Sequence, residues 1–316
     1  MLFLKHTPID QILSLPEMIE TIEDTLKEIA EGRGFELPRR RIHHPNRMIF
    51  GILPGSVHGA MGAYIQTDLD RRIHHENVMI FSVETGEPLA LFQNCSINEY
   101  RTGAAGALGA KYLARRDAHR VAILGSAVHA EIQRKAAAAV RKLTAAWVFS
   151  PTAEHRAAFA EKLGRELEIP IYAVESAEEA LANADIIITA TNARSPVFNG
   201  SSLRDGMHIT SIANGDKTRT RNELDDAVLH RAEPIFITSK ETVCVNESDI
   251  FRAVRDRVIT WDKVYEISSL LLGKVDGRTD DRQVTLFKLQ GTGIMDVAIG
   301  FKAYQRLKHS GIAQQL

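Results

Sequence analysis

The period of the apolar positions changes near residue 117, and the change divides the chain. From 15 to 32 apolar residues recur at helical spacing, with Pro16 suited to a first turn and Gly32 to a stop. Short β-like runs follow at 48–53, 60–66, 78–83 and 89–93, with turn residues such as Pro54-Gly55 and Glu84-Thr85-Gly86-Glu87-Pro88 between them. The run RTGAAGALGAKYLARR, residues 101–116, predicts a long helix whose small-residue face admits a close neighbour. Beyond Asp117, strands expected at 121–124, 146–150, 171–174, 185–191, 208–213 and 234–238 are interleaved with helices at 128–143, 153–167 and 177–182. Strands joined to helices by short loops imply right-handed crossovers and a parallel sheet covered on both faces. A helical tail at 293–309 follows. The expected fold class is α/β. A doubly wound dinucleotide-binding domain occupies 118–292, and an α+β domain at 1–117 is completed by 293–316.

Composition removes classes of function. The 316 residues hold 39 Lys plus Arg against 40 Asp plus Glu, a formal net charge of -1, and 44% are hydrophobic. Such a chain buries a core, and at ~100–200 residues per domain it makes two domains or one large one. The even charge offers no counterion-release drive toward nucleic acid and no attraction to an acidic membrane surface. Two cysteines, Cys95 and Cys244, provide no disulfide framework and suit a reducing compartment. No window nears the ~18 consecutive apolar residues of a membrane span. The opening MLFLKHTPIDQIL lacks the order of a secretion signal. A cytoplasmic protein is expected.

The first chemistry lies after the strand at 121–124, where Gly125-Ser126-Ala127-Val128-His129-Ala130 opens a helix. Against G-x-G-x-x-G/A, the first glycine and the final alanine are present, and Ala127 replaces the middle glycine that lets a pyrophosphate approach. An ordinary strand–helix turn is the competing reading. The next strand ends at Ser150-Pro151-Thr152 with Arg156 one helical turn on, and no acid stands where a carboxylate would repel a 2′-phosphate. The expected cofactor is NAD(P), with a lean to NADP; alternatively the two hydroxyls merely cap the helix.

Taken in order, these features resemble the ornithine cyclodeaminase/mu-crystallin family. The resemblance is carried by Leu53-Pro54-Gly55, the run from Thr85 to Ala90, Arg101-Thr102-Gly103-Ala104, Leu113-Ala114-Arg115 and the glycine turn. It continues through the stretch Asp185 to Thr191 with Pro196-Val197, Asn222-Glu223-Leu224-Asp225 and Gly291-Thr292-Gly293-Ile294-Met295-Asp296. It implies a homodimer built through the substrate domains and hydride transfer between a nicotinamide and the α-carbon of an amino or imino acid. Arg101 matches the family arginine that clamps the substrate carboxylate, and Arg41 the second, with Arg47 competing for that role. Asp216 matches the acid/base aspartate, although an ordinary turn aspartate is the alternative. The resemblance also implies dinucleotide contacts at Thr102, the turn 125–130, Ser150, Thr152, Arg156, Thr189, Ala190, Thr191 and Asp296.

One position departs from the family. Gly62-Ala63-Tyr64 carries a tyrosine where cyclodeaminases usually carry a lysine that contacts substrate and assists proton transfer. A phenol of pKa ~10 is a neutral donor and supplies no cation. An imine reductase or amino-acid dehydrogenase is therefore favoured over a cyclodeaminase. The other reading is a crystallin-like binding protein with reduced catalysis. The stretch Asp68-Leu69-Asp70-Arg71-Arg72-Ile73-His74-His75-Glu76 is rich in metal-ligand types, but adjacent histidines on a strand point to opposite faces. It reads as a polar loop, and no metal is expected.

Overall fold

The computed structural model describes residues 1–69, 73–215, 221–246, 248–309 and 314–315. It divides into two compact units, 1–101 with 291–316 and 102–290. The division falls inside the helix Ile97–Leu113, ahead of the compositional change at 117. Residues 101–110 of that helix are all buried, so an apolar–polar boundary is invisible there.

Unit 1 contains β1 (Leu2–Lys5), β2 (Phe35–Glu36), β3 (Arg40–His43), β4 (Ile49–Val57), β5 (Ala60–Leu69), β6 (Ile73–Ser82) and β7 (Pro88–Gln93). The strand Gln314–Gln315 starts the sheet order, followed by β1, β7, β6, β5, β4 and β2, while β3 also pairs with β4. All pairings are antiparallel except β1 with β7. The helix Leu15–Ala30 begins at a Ser14–Glu17 capping box and buries Met18, Ile22 and Leu26. The C-terminal helix Gly293–Leu307 packs on β4, β5 and β6. Glycine permits that approach: a Cβ on Gly293 would lie 2.0 Å from the Leu53 carbonyl oxygen, and one on Gly55 2.4 Å from Ile294 Cα. The Leu-Pro-Gly and Gly-Thr-Gly motifs are thus two sides of one backbone contact.

The stretch 68–76, expected as a polar loop, instead ends β5 and begins β6. Leu69 pairs with Ile73, Asp68 with His74 and Gln66 with Glu76. Asp68 and Glu76 are buried, so period-2 alternation continues here with inward acids in place of apolar residues. Residues 70–72 lie outside the described residues.

Unit 2 contains β8 (Arg120–Leu124), β9 (Ala145–Phe149), β10 (Ile171–Ala173), β11 (Ile186–Thr189), β12 (His208–Ser211), β13 (Ala232–Ile237), β14 (Val264–Glu266) and β15 (Val284–Lys288). They form one sheet in the order β10-β9-β8-β11-β12-β15-β13-β14, parallel at every pairing. Separate apolar clusters include Leu124, Ile187 and Ile209 in one and Val121, Ile123 and Ile188 in the other, as a sheet buried on both faces requires. The strand order reverses between β8 and β11, and such a switch point opens a crevice at the C-terminal strand ends. The apolar pattern missed β15, because Thr285 and Lys288 interrupt it; both are fully buried. No helix among the described residues is long and apolar enough to cross a membrane.

Candidate functional site

In unit 2 the glycine turn occupies the switch point. Gly125 has φ +121°, and a Cβ there would lie 2.4 Å from the Ala190 carbonyl oxygen at the end of β11. Only glycine fits without strain. Ala127 is the extended N-cap of the helix Val128–Val140 and makes no side-chain cap bond. The first turn, with exposed Val128 and half-buried His129 ahead of buried Ala130, has no side-chain cap on its N–H groups. Such a turn fits an anionic pyrophosphate. Thr102 is buried, and its carbonyl accepts a bond from Gln133 Nε2 at 2.8 Å.

At the end of β9, Ser126 Oγ donates to Ser150 Oγ at 2.9 Å. Thr152 is the N-cap of the helix Ala153–Leu167 but makes no side-chain cap bond, so the capping alternative is not what the structure shows for it. Arg156 is buried, and its guanidinium bonds to the Ser150 carbonyl at 3.1 Å and to the Glu175 carboxylate. Its charge is already matched by an acid.

Thr189 and Thr191 end β11, but their hydroxyls are bound to Glu223, at 2.8 Å each. Glu223, itself fully buried, also accepts from Thr191 N–H (2.7 Å), Ser211 Oγ (2.8 Å) and Ala213 N–H (3.1 Å). Behind it Lys288 Nζ donates to Ser211 Oγ at 2.9 Å and pairs with Asp249 at 2.6 Å. One carboxylate therefore fixes the C-terminal edges of two neighbouring strands. Neither Glu223 as a hub nor Lys288 was among the sequence candidates. The Asn-Glu-Leu-Asp motif was the signal for Glu223, while a lysine inside a strand gave none.

Unit 1 gathers a second cluster. Arg101 and Asp296 are buried and paired through Arg101 Nε and Asp296 Oδ1 at 3.0 Å. Burial, opposed by Arg101, raises the Asp296 carboxyl to about 6. Its Oδ2 is buried with no hydrogen-bond partner among the described residues. Tyr64 is 1% exposed, and its hydroxyl donates to Glu76 Oε1 at 2.7 Å. Burial, followed by the Glu76 charge, holds the phenol well above its ordinary value, so it is neutral.

Burial also weakens the proton of Arg39, to about 10, and the charges of Arg41 and Arg101 act in the same sense. Arg39 Nε is buried with no partner among the described residues, and Tyr64 and Asp296 lie within electrostatic reach of the guanidinium. The sequence reading passed over Arg39 for Arg41. Arg39 lies just ahead of β3 in the run Arg39-Arg40-Arg41, which carries no signal that separates the three. Arg41 lies half-buried on β3, and Arg47 is exposed in the following turn with φ +72°. Glu99 adds a carboxyl raised to about 7 by burial and by Glu76. Asp216 lies outside the described residues. No three metal-ligand side chains converge among the described residues.

The model of the ornithine cyclodeaminase/mu-crystallin family matches residues 1–311. A Δ1-pyrroline-2-carboxylate reductase of Bacillus cereus is 30% identical over 234 residues, 74% of this chain and 71% of that protein. The solved Δ1-pyrroline-2-carboxylate reductase of Thermococcus litoralis, in complex with NADH and L-proline, is 29% identical with a TM-score of 0.93, covering 100% of both chains. The iminosuccinate reductase of Paracoccus denitrificans, in complex with NAD+, is 25% identical with a TM-score of 0.92 over 99% of this chain and 98% of that one. A turn that only Gly125 can make at the switch point, the Leu-Pro-Gly contact with Gly293 and this whole-length similarity lead to one conclusion. The chain belongs to the ornithine cyclodeaminase/mu-crystallin family.

Proposed function

We propose that this protein reduces the C=N bond of a small α-imino acid with NAD(P)H, and in reverse oxidises the matching α-amino acid. The observation that carries this reading is a neutral, buried phenol, Tyr64, within electrostatic reach of the Arg39 guanidinium in a unit that also buries Arg101. An α-imino acid offers two handles. Its carboxylate suits planar guanidinium forks, and its nitrogen suits a neutral hydroxyl donor. Arg101 and Arg39 take the carboxylate, with Arg41 beside Arg39 and Arg47 left outside. Tyr64 gives the nitrogen its proton, and Asp216 takes the acid/base role that the family resemblance gives it.

The turn 125–130 receives the pyrophosphate, Ser150 and Thr152 meet the 2′ position, and the Glu223-held edge at Thr189, Ala190 and Thr191 receives the nicotinamide. Bound NAD(P)H supplies the hydride. Because Arg156 is engaged by Glu175, acceptance of NADP rests on the two hydroxyls and on the lack of a carboxylate. We expect both cofactors to work. Relatives named pyrroline-2-carboxylate and iminosuccinate reductases support the substrate class.

A homodimer through unit 1 belongs to the same reading. Phe35, Leu37, Ile42, Phe50, Met61 and Ile73 are exposed apolar residues of that unit, and Ile42 faces Phe50 across β3–β4. Light scattering behind gel filtration tests it.

The activity is tested by following reduced nicotinamide with Δ1-pyrroline-2-carboxylate and with 2-oxo acids plus ammonia or methylamine. Turnover is expected with at least one imine, and Tyr64→Phe should lower kcat by about 10²–10⁴-fold while dinucleotide binding persists. Dinucleotide binding with no turnover on any imine would overturn the reading.

A further inference from the structure

Asp68, His74 and Glu76 of the polar stretch 68–76 lie on the side of the sheet that holds Tyr64. Tyr64 and Asp68 share a face of β5, and the register that pairs Asp68 with His74 and Gln66 with Glu76 puts His74 and Glu76 on that side of β6. A slip of one residue would turn both away. Tyr64 Oη donates to Glu76 Oε1 at 2.7 Å, and His74 Nε2 lies 2.9 Å from the same oxygen. His74 Nδ1 lies 3.9 Å from Asp68 Oδ2, so the imidazole stands between two carboxylates. Exposure rises along the chain of bonds, from Tyr64 at 1% to a Glu76 side chain at 10% and a His74 side chain at 41%.

A phenol buried this deeply has no direct route to water, and its one hydrogen bond among the described residues leads through Glu76 to the surface. We propose that His74, Glu76 and Tyr64 form a proton relay that carries solvent protons to the substrate nitrogen. The proposal rests on the reading of Tyr64 as the proton donor. As hydride reaches the α-carbon, the C=N π pair moves to nitrogen, which takes the Tyr64 hydroxyl proton once that hydroxyl has turned from Glu76 to the substrate. The phenol oxygen recovers a proton through Glu76 as His74 Nε2 gives up its own, and solvent reprotonates His74. One hydride and one solvent proton are consumed per C=N bond, and no side chain is left changed. In the oxidative direction His74 releases the proton.

The surrounding charges suit this role. The bond to Glu76 raises His74 above its ordinary 6.5 against the opposing effect of burial, with Asp68 and Glu99 acting in the same sense, so its protonated form is favoured. Burial opposes the Glu76 charge, but the bonds from His74 and Tyr64 outweigh it, with Arg101 contributing in the same sense. Asp296 and Arg39 also act on Tyr64, in opposite senses.

The test uses the full chain with NADH and the best imine of the panel. His74→Ala, near the surface, should lower kcat by about tenfold or more with KM changed by less than about twofold, and added imidazole should restore the rate in proportion to its concentration. The solvent isotope effect on kcat should rise. Independently of turnover, the His74 titration followed by NMR should move toward the ordinary histidine value in Glu76→Gln, a variant whose amide oxygen can still accept the Tyr64 hydrogen bond but cannot pass a proton. Wild-type kcat in His74→Ala, or a loss that imidazole does not restore, overturns the relay. If Tyr64→Phe keeps wild-type kcat, the donor reading fails and the relay fails with it; if Tyr64→Phe is inactive and His74→Ala is not impaired, the relay alone fails.

Discussion

Asp296 Oδ1 accepts a hydrogen bond from Arg101 Nε at 3.0 Å, and neither side chain is more than 2% exposed. The pair joins the start of the helix Ile97–Leu113 to the first turn of the C-terminal helix, residues far apart in sequence. An arginine buried inside a protein needs a counter-charge, and Asp296 provides it. Removing one partner leaves the other charge buried and uncompensated. Arg101→Met should cost roughly 3–5 kcal/mol in urea unfolding, because it leaves the Asp296 carboxylate without its cation, and Asp296→Asn should recover part of that loss in the double variant. A cost below about 1 kcal/mol would mean that the pair adds little to the fold.

Glu223 is a comparable hub in unit 2, with five hydrogen bonds from β11, β12 and their outgoing loops. A glutamine is the same shape but turns an NH2 group toward donors. Glu223→Gln should destabilise the fold by about 2–3 kcal/mol and weaken NADH binding in a fluorescence titration, because at least one buried donor loses its acceptor. Unchanged NADH affinity would separate Glu223 from the nicotinamide edge.

Cofactor choice can be moved at Ser150. A carboxylate there would accept from the ribose 2′-hydroxyl and repel a 2′-phosphate. Ser150→Asp should raise the NADPH-to-NADH ratio of KM values by about tenfold or more, which is about 1.4 kcal/mol of discrimination. An unmoved ratio would place the ribose elsewhere.

Acid sensitivity follows from Glu17. Bonds from Arg306 and Ser14 lower its carboxyl from 4.5 to about 2. A carboxyl whose value is depressed by folding contributes stability above its unfolded value and loses it as pH falls through the folded one. That contribution is therefore present above about pH 4.5 and fades toward pH 2. Asp296, raised by burial to about 6, has the opposite sign and costs stability as pH rises from its unfolded 3.8 toward 6. Melting temperatures of Glu17→Gln and the parent should differ at pH 6 and converge as pH falls toward 2. A gap that stays constant across that range would remove the charge from the explanation.

Some of this was legible because it depends on local backbone chemistry. Alternating strands and helices after 117 are set by period and turn residues, and the parallel sheet followed from them. Gly125 was readable for the same reason: a strand-to-helix turn with positive φ selects glycine wherever it occurs. The substitution at Tyr64 was likewise legible, since a phenol cannot carry the cation of a lysine in any fold.

What the sequence by itself determined was the class of most elements, the family and the glycine that the turn at 125 requires. Only the tertiary structure decided the partners. It paired Arg101 with Asp296 across the length of the chain, brought the Arg39 charge within electrostatic reach of Tyr64, and turned the apparent loop at 68–76 into two strands whose acids face inward. The reason is physical. Period and propensity act over a few residues, but a buried charge is tolerated only beside a specific opposite charge or donor, and the fold alone determines which residue that is.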